Sequence, residues 1–325
     1  PIFCFASYDP GPPPCFSSLW GQVDHCPAWD GAWLTILCRA RKSTSAAFDW
    51  TPYMADIYSF ARASIHTPVS MGDAGSAPLM RGRPVAYQYQ SFGPSASRRP
   101  AAMLKKLSKL MVFLLGKGGP PEQRTVSPGA LYLLSLFRGL RTFFHPSNGG
   151  LWTTELGLVV NYVLKGLASR VGGEGVLREL GRPPSAGELS RDDAGLVADL
   201  LLPLVLEMVY SKNSSVGSLS NMCLSTLASL SPARVAPAAA ELVLRALDPV
   251  ASINHTHQAP AAIRALTCMF RPLMHPRPYL APYLPAILEL TLPGLDSNDV
   301  FKTTVTLQLY HLILCWIPVQ GNPVR

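Results

Sequence analysis

Apolar positions over 101–116 recur at steps of three and four: Met103, Leu104, Leu107, Leu110, Met111 and Leu114, with Gly116 closing the run. That is the period of a helix with one apolar stripe. Similar patterns predict helices at about 32–41 (WLTILCRA) and 51–65 (TPYMADIYSFARASI), with Thr51 as N-cap and Pro52 at the first helical position. Ser127 and Pro128 occupy cap positions for a helix from about 128 to 144, and another opens at Trp152 and runs over about 151–169. Between these two lies FFHPSNGGLW, 143–152. Pro146 disfavours α geometry in the residue ahead of it, Ser147 and Asn148 offer turn hydrogen bonds, and Gly149 and Gly150 permit positive φ. The stretch therefore reads as a helix–helix connector, with His145 as a turn histidine.

The second half repeats itself. Helices are expected from Asp192 to about Tyr210, from Leu219 to Leu230 after the turn SKNSSVGS, and along SPARVAPAAAELVLRALD. Three more follow: about 258–271, then HPRPYLAPYLPAILELTLPGLD, then Asp299–Trp316. Val235-Ala236-Pro237 matches Leu280-Ala281-Pro282 at an offset of 45, and alternate helices start near 217, 258 and 299. Two helices per ~40–47 residues is the HEAT/armadillo period, in which each pair covers its neighbour's apolar face. The fold class expected is all-α, an α-solenoid of HEAT/armadillo-like antiparallel pairs with long irregular loops. Its segments are 1–30 (irregular, Gly/Pro-rich), 31–70 (helical pair), 71–100 (long loop), 101–170 (basic helices with the connector), 171–190 (Gly/Pro-rich loop) and 191–325 (repeats).

Charge changes the picture in one place. Residues 101–170 hold nine basic and two acidic side chains, nearly all of the chain's net +8. Lys105, Lys106 and Lys109 lie off the apolar stripe of their helix, and together with Arg138 and Arg141 they form a candidate anion- or partner-binding surface. A solvated helix face is the plainer reading. The seven cysteines form no CxxC pair, and Cys223, Cys268 and Cys315 fall in apolar helical patterns as small hydrophobes, consistent with a reducing compartment. Thr303–Val319 is the longest uncharged apolar run, yet it carries Gln308 and His311, so a buried helix is expected and no membrane span.

Catalytic chemistry finds no support. GxSxG, GxGxxG and GxxxxGK[ST] do not occur. His255 and His257 could give two metal ligands but have no accompanying Cys or carboxylate cluster. Asp192 and Asp193 precede a helix, where acids favour the N-terminus. The aromatics are not interleaved with basic residues, so direct nucleic-acid binding is not expected. No enzyme activity and no cofactor are expected.

LSKLMVFLLGKGG at 107–119, FFHPSNGGLWTTEL at 143–156 and LPGLDSNDVFKTTVTLQLY at 292–310 resemble the proteasome activator complex subunit 4 family, the Blm-type giant HEAT-repeat activators. FDWTPYMADIYSFARASIHTPVS at 48–70 is similar to an upstream part of the same proteins. The resemblance implies a segment from the N-terminal part of a solenoid that caps the 20S proteasome core particle and opens it without ATP. It also implies nuclear and cytoplasmic location, links to DNA repair, and acetylated histones as partners through other regions of the parent. The family docks through a C-terminal hydrophobic–Tyr–X tail. This chain ends in Gly-Asn-Pro-Val-Arg and begins at Pro1, so it is expected to be a fragment without that tail. A karyopherin-like HEAT scaffold and a membrane-associated protein anchored at 303–319 are the alternatives.

Overall fold

In the computed structural model, residues 32–39, 49–65, 101–116, 126–149, 152–179, 189, 191–247 and 257–317 are described. Their regular elements are all helical. They are α1 (32–39), α2 (Thr51–Ser64), α3 (Ala101–Leu114), α4 (Pro128–Gly139), α5 (Trp152–Glu179) and α6 (Arg191–Met208). Then come α7 (Ser214–Leu230), α8 (Pro232–Ala246), α9 (Gln258–Met274), α10 (Leu284–Thr291) and α11 (Val300–Trp316). The expected 1–30 segment and 71–100 loop lie outside the described residues.

The chain divides into two compact units, Pro1–Gly139 with Ser169–Val197, and Leu140–Ala168 with Ala198–Arg325. In the first unit, α2, α3 and α4 pack on one another. The predicted α3 stripe is the buried one: Met103, Leu104, Leu107, Leu110, Met111 and Leu114 are each at most 4% exposed. Tyr58 on α2 donates its hydroxyl to the Gly129 carbonyl at 3.0 Å and stacks on Tyr132, ring centroids 5.5 Å apart. Gly129 is where α4 meets the end of α3, and a Cβ there would lie 2.2 Å from the Leu114 carbonyl oxygen.

In the second unit the helices alternate between two layers. α9 packs against α7 and α11 on its flanks and against α8, while α10 packs on α8. The unit's part of α5 lies beside α7, because a Cβ at Gly157 would meet Leu219 Cδ1 at 3.1 Å and Asn213 Nδ2 donates to Thr154 Oγ1 at 3.2 Å. An ion pair from Arg234 of α8 to Asp199 of α6 links the other layer. The layers are thus α5–α7–α9–α11 and α6–α8–α10, with successive helices falling in opposite layers. Starts at Ser214, Gln258 and Val300 give steps of 44 and 42 residues, the expected HEAT period.

Several boundaries differ from the sequence reading, each for a local reason. Thr51 is the first helical residue of α2 instead of its cap; Asp49 Oδ1 accepts its amide at 2.9 Å. α4 stops at Gly139, and the predicted remainder is a 3-10 turn, Arg141–Phe144. α5 continues through Gly172, Gly173 and Gly175 to Glu179, so the expected 171–190 loop is helical over its first nine residues. α7 begins at Ser214, inside the predicted turn, because Asn213 Oδ1 accepts the Ser215 amide at 3.0 Å. The single helix expected before residue 297 is instead a 3-10 turn Ala281–Tyr283, the short α10 and a 3-10 turn Leu292–Gly294. Pro282, Pro285 and Pro293 remove amide donors there. As a result the matching triplets are not equivalent: Pro237 sits inside α8, Pro282 in a 3-10 turn.

α11 begins at Val300, capped by Asp299, whose Oδ1 accepts the Lys302 amide at 2.9 Å. It is not a buried helix, however. Val305, Thr306, Leu309 and Ile313 are covered, whereas Leu307 and Leu314 are 53% and 66% exposed. No helix among the described residues is long and apolar enough to cross a membrane.

Two glycine replacements separate close approach from helix propensity. Gly129→Ala forces a methyl group against the Leu114 carbonyl and is expected to cost about 1–3 kcal/mol of stability. Gly173→Ala, with nothing within 4 Å of the new methyl group, is expected to gain about 1 kcal/mol. Urea denaturation of both variants would show the midpoint moving in opposite directions.

Candidate interaction surfaces

The candidate cations do not form one cluster. Lys105 and Lys109 are exposed one turn apart on α3. Lys106 is half-buried and donates to Thr35 Oγ1 on α1 at 2.7 Å, while Cys38 Sγ donates to the Lys106 carbonyl at 3.6 Å. It joins two helices of the first unit. Arg138 is exposed in the last turn of α4, where a cation complements the helix dipole. Arg141, also exposed, belongs to the second unit. The exposed candidate cations on α3 are therefore Lys105 and Lys109.

A further cation of the basic stretch works inside the fold. Arg170 on α5 donates Nη1 to the Val112 carbonyl at 2.7 Å and the Leu115 carbonyl at 2.6 Å, taking the open end of α3. Its Nε binds Glu174 Oε1 at 2.7 Å, and Glu174 Oε2 accepts the Leu189 amide at 3.0 Å. The end of α3 meets Ser127 as well, whose Oγ accepts the Gly116 amide at 3.1 Å and the Ala130 amide at 3.3 Å, so the predicted cap of α4 serves two helices. The Ser127 amide donates to Asp193 Oδ1 at 2.9 Å, and Asp193 is 1% exposed. Sequence reasoning gave Asp193 only a helix-dipole role. Neither Arg170 nor Asp193 has a local signal of such service, because their partners are 55 to 66 positions away.

The HPSN connector closes on itself. His145 Nδ1 and Ser147 Oγ lie 2.6 Å apart, the Asn148 amide donates to the His145 carbonyl at 3.0 Å, and Asn148 Nδ2 reaches the Thr142 and Phe143 carbonyls at 3.2 and 3.1 Å. Asn148 thus satisfies the last carbonyls of the 3-10 turn. Trp152 opens α5 as predicted and packs edge-on against Phe143, centroids 5.4 Å apart. A shallow hollow beside the connector is lined by Phe144, His145, Leu156, Met208 and Val216. Among the described residues, the side chain hydrogen-bonded to the His145 ring is that of Ser147, a turn former of the same connector.

The cysteines divide. Cys223 is buried, and desolvation pushes its thiol up to about 12, with nearby Lys165 opposing the shift. Cys268 and Cys315 are exposed, contrary to the expectation of three small core hydrophobes: Cys268 lies on the open side of α9 and Cys315 beside His311 on α11. Burial still raises the Cys268 thiol, opposed by Arg264. Burial raises the Tyr210 hydroxyl to about 12, with Arg245 opposing, and raises Tyr58 as well. Among the described residues no group of three or more His, Cys, Asp or Glu could hold a metal ion. His255 lies outside them.

Residues 133–322 match the family model for proteasome activator complex subunit 4, mid HEAT repeats region. Proteasome activator complex subunit 4 of Xenopus laevis is 24% identical over 309 residues, 94% of this chain and 15% of that protein. Subunit 4A of Danio rerio is 25% identical over 93% of the chain, and proteasome activator subunit 4 of Arabidopsis thaliana is 25% identical over 90%. The chain spans about 15% of the length of the relatives it matches.

Charge reversal at Lys105 and Lys109 together is expected to weaken binding to heparin and flatten its dependence on salt if α3 is an anion surface. Unchanged affinity on a heparin column at several salt concentrations returns these lysines to a solvated helix face. Cys223 gives a pH test. A thiol whose folded pKa is raised stays protonated when the unfolded chain has already lost its proton, so the unfolded state gains with pH. Stability is therefore expected to fall as pH rises from 9 towards 12. In Cys223→Ala the decline, followed by urea midpoint, is expected to be shallower.

Proposed function

The chain belongs to the proteasome activator complex subunit 4 family, and we propose that it forms part of the wall of an ATP-independent activator of the 20S proteasome core particle. The supporting observation is the family match over 133–322, which covers both layers of the second unit and their alternating helices. The stretch does structural and regulatory work: packed helix pairs offer shape and surface, and the polar groups inside them are used to close helix ends. Nuclear and cytoplasmic location, a role in DNA repair and engagement of acetylated histones by other regions of the parent go with this reading.

The test is peptide hydrolysis by purified 20S particles, without ATP, with and without the full-length parent protein. Stimulation several-fold over basal cleavage is expected. Unchanged hydrolysis, with no core subunits co-purifying, overturns the activator reading.

A further inference from the structure

Charge is sorted between the two layers of the second unit. Within that unit α6, α8 and α10 carry Asp199, Glu207, Glu241 and Glu289 against Arg234 and Arg245. Both arginines are neutralised in place, Arg234 by Asp199 at 2.6 Å and Arg245 by Glu241. The layer α5–α7–α9–α11 carries Lys165, Arg264, Arg271 and Lys302, and its one acid, Glu155, is buried. Within the second unit none of the described residues on these helices is an exposed carboxylate; exposed Asp299 caps the start of α11, and exposed Glu179 ends α5 in the first unit.

α9 shows where those cations point. It is flanked by α7 and α11 and backed by α8, which leaves one open line. Arg264, Cys268, Arg271 and His275 are all exposed and follow at steps of four, three and four, so they share that line. The Arg271 guanidinium lies 5.7 Å from the centroid of the Trp316 ring, and the His275 ring lies 6.2 Å from the same ring. The neighbouring line of α7 holds exposed Ser214, Ser218, Met222 and Ser229, without a charge.

We propose that the open side of the α5–α7–α9–α11 layer docks an acidic, extended polypeptide segment. Arginine forks take carboxylates in two-point contacts, and α9 itself carries no carboxylate to compete for Arg264 and Arg271. Stacking on Trp316 holds Arg271 in place before a ligand arrives, which lowers the ordering cost of binding. Serine hydroxyls and Met222 supply adaptable contacts to a backbone beside the charged line. Nucleic acid fits less well. Tight phosphate binding draws on about 6–10 cationic contacts, more than this side provides. Trp316 is 37% exposed and its ring already carries the Arg271 guanidinium 5.7 Å from its centroid, so a base would have to displace that contact to stack there.

This inference stands apart from proteasome activation, and its readout is peptide binding by the full chain. The probe is a fluorescein-labelled ten-residue peptide of alternating Glu and Gly, with a Lys/Gly peptide and a single-stranded oligonucleotide for comparison. The acidic peptide is expected to bind in preference to both. Arg264→Glu, on the open line, is expected to weaken it about fivefold. Arg245→Glu makes the same charge change on the other layer and is expected to leave affinity within about twofold. Circular dichroism and melting temperature show that each variant is folded. No binding of the acidic peptide, equal losses in the two variants, or preference for the oligonucleotide overturns the proposal.

Discussion

An oily helix that is apolar on more than one side is stable only where its neighbours cover those sides, and α9 shows the constraint most clearly. Ile263, Leu266, Met269, Phe270 and Leu273 are all fully buried, with Ala262 and Ala265 among them. Burying each large side chain contributes about 1.5–3 kcal/mol, and the alanines let the flanking helices approach closely. These residues cannot be covered by one partner, so α7, α8 and α11 are all required. The order of elements follows: each new helix covers what the previous ones leave open, and alternate helices fall into the same layer.

Helix ends impose the second constraint. The last carbonyls of an α-helix have no partner within it, and beside packed neighbours they need one. In the first unit α3 and α4 meet so closely at Gly129 that water has little room. Arg170 takes the carbonyls of Val112 and Leu115, Ser127 takes the amides of Gly116 and Ala130, and Asp193 takes the amide of Ser127. Three polar side chains from distant positions thereby fix where one helix stops and the next begins. Removing one would leave buried charge or backbone without a partner, the costly case for such groups.

These two constraints explain what could be read from the residues alone. Apolar stripes are local, so the α3 stripe and the HEAT period emerged directly. So did local turn chemistry: Asn148 in the connector, Ser127 ahead of α4 and Asp299 ahead of α11 act as their types and places imply. Long-range service was hidden. Gly172, Gly173 and Gly175 each disfavour a helix by about 1 kcal/mol, yet α5 continues through them, with Arg170 and Glu174 anchoring that turn to α3 and to Leu189. The exposure of Cys268 was hidden as well, because which side of α9 stays open depends on helices before and after it.

Surface charge follows the same logic, and that is why local charge counts mislead here. The 101–170 stretch looks like the basic surface of the chain, but Arg170 is turned to the end of α3 and Lys106 to Thr35. The region after 170 holds eleven basic and twelve acidic residues and looks neutral. Within the second unit its packing nevertheless places Glu207, Glu241 and Glu289 on one layer and Arg264 and Arg271 on the other. Lateral helix contacts build the core and do not constrain the outward line of each helix, so charge on that line can be sorted without disturbing the packing. A stack of paired helices can therefore present a cationic side from a nearly neutral sequence, and such a side becomes visible only once the layer of each helix is known.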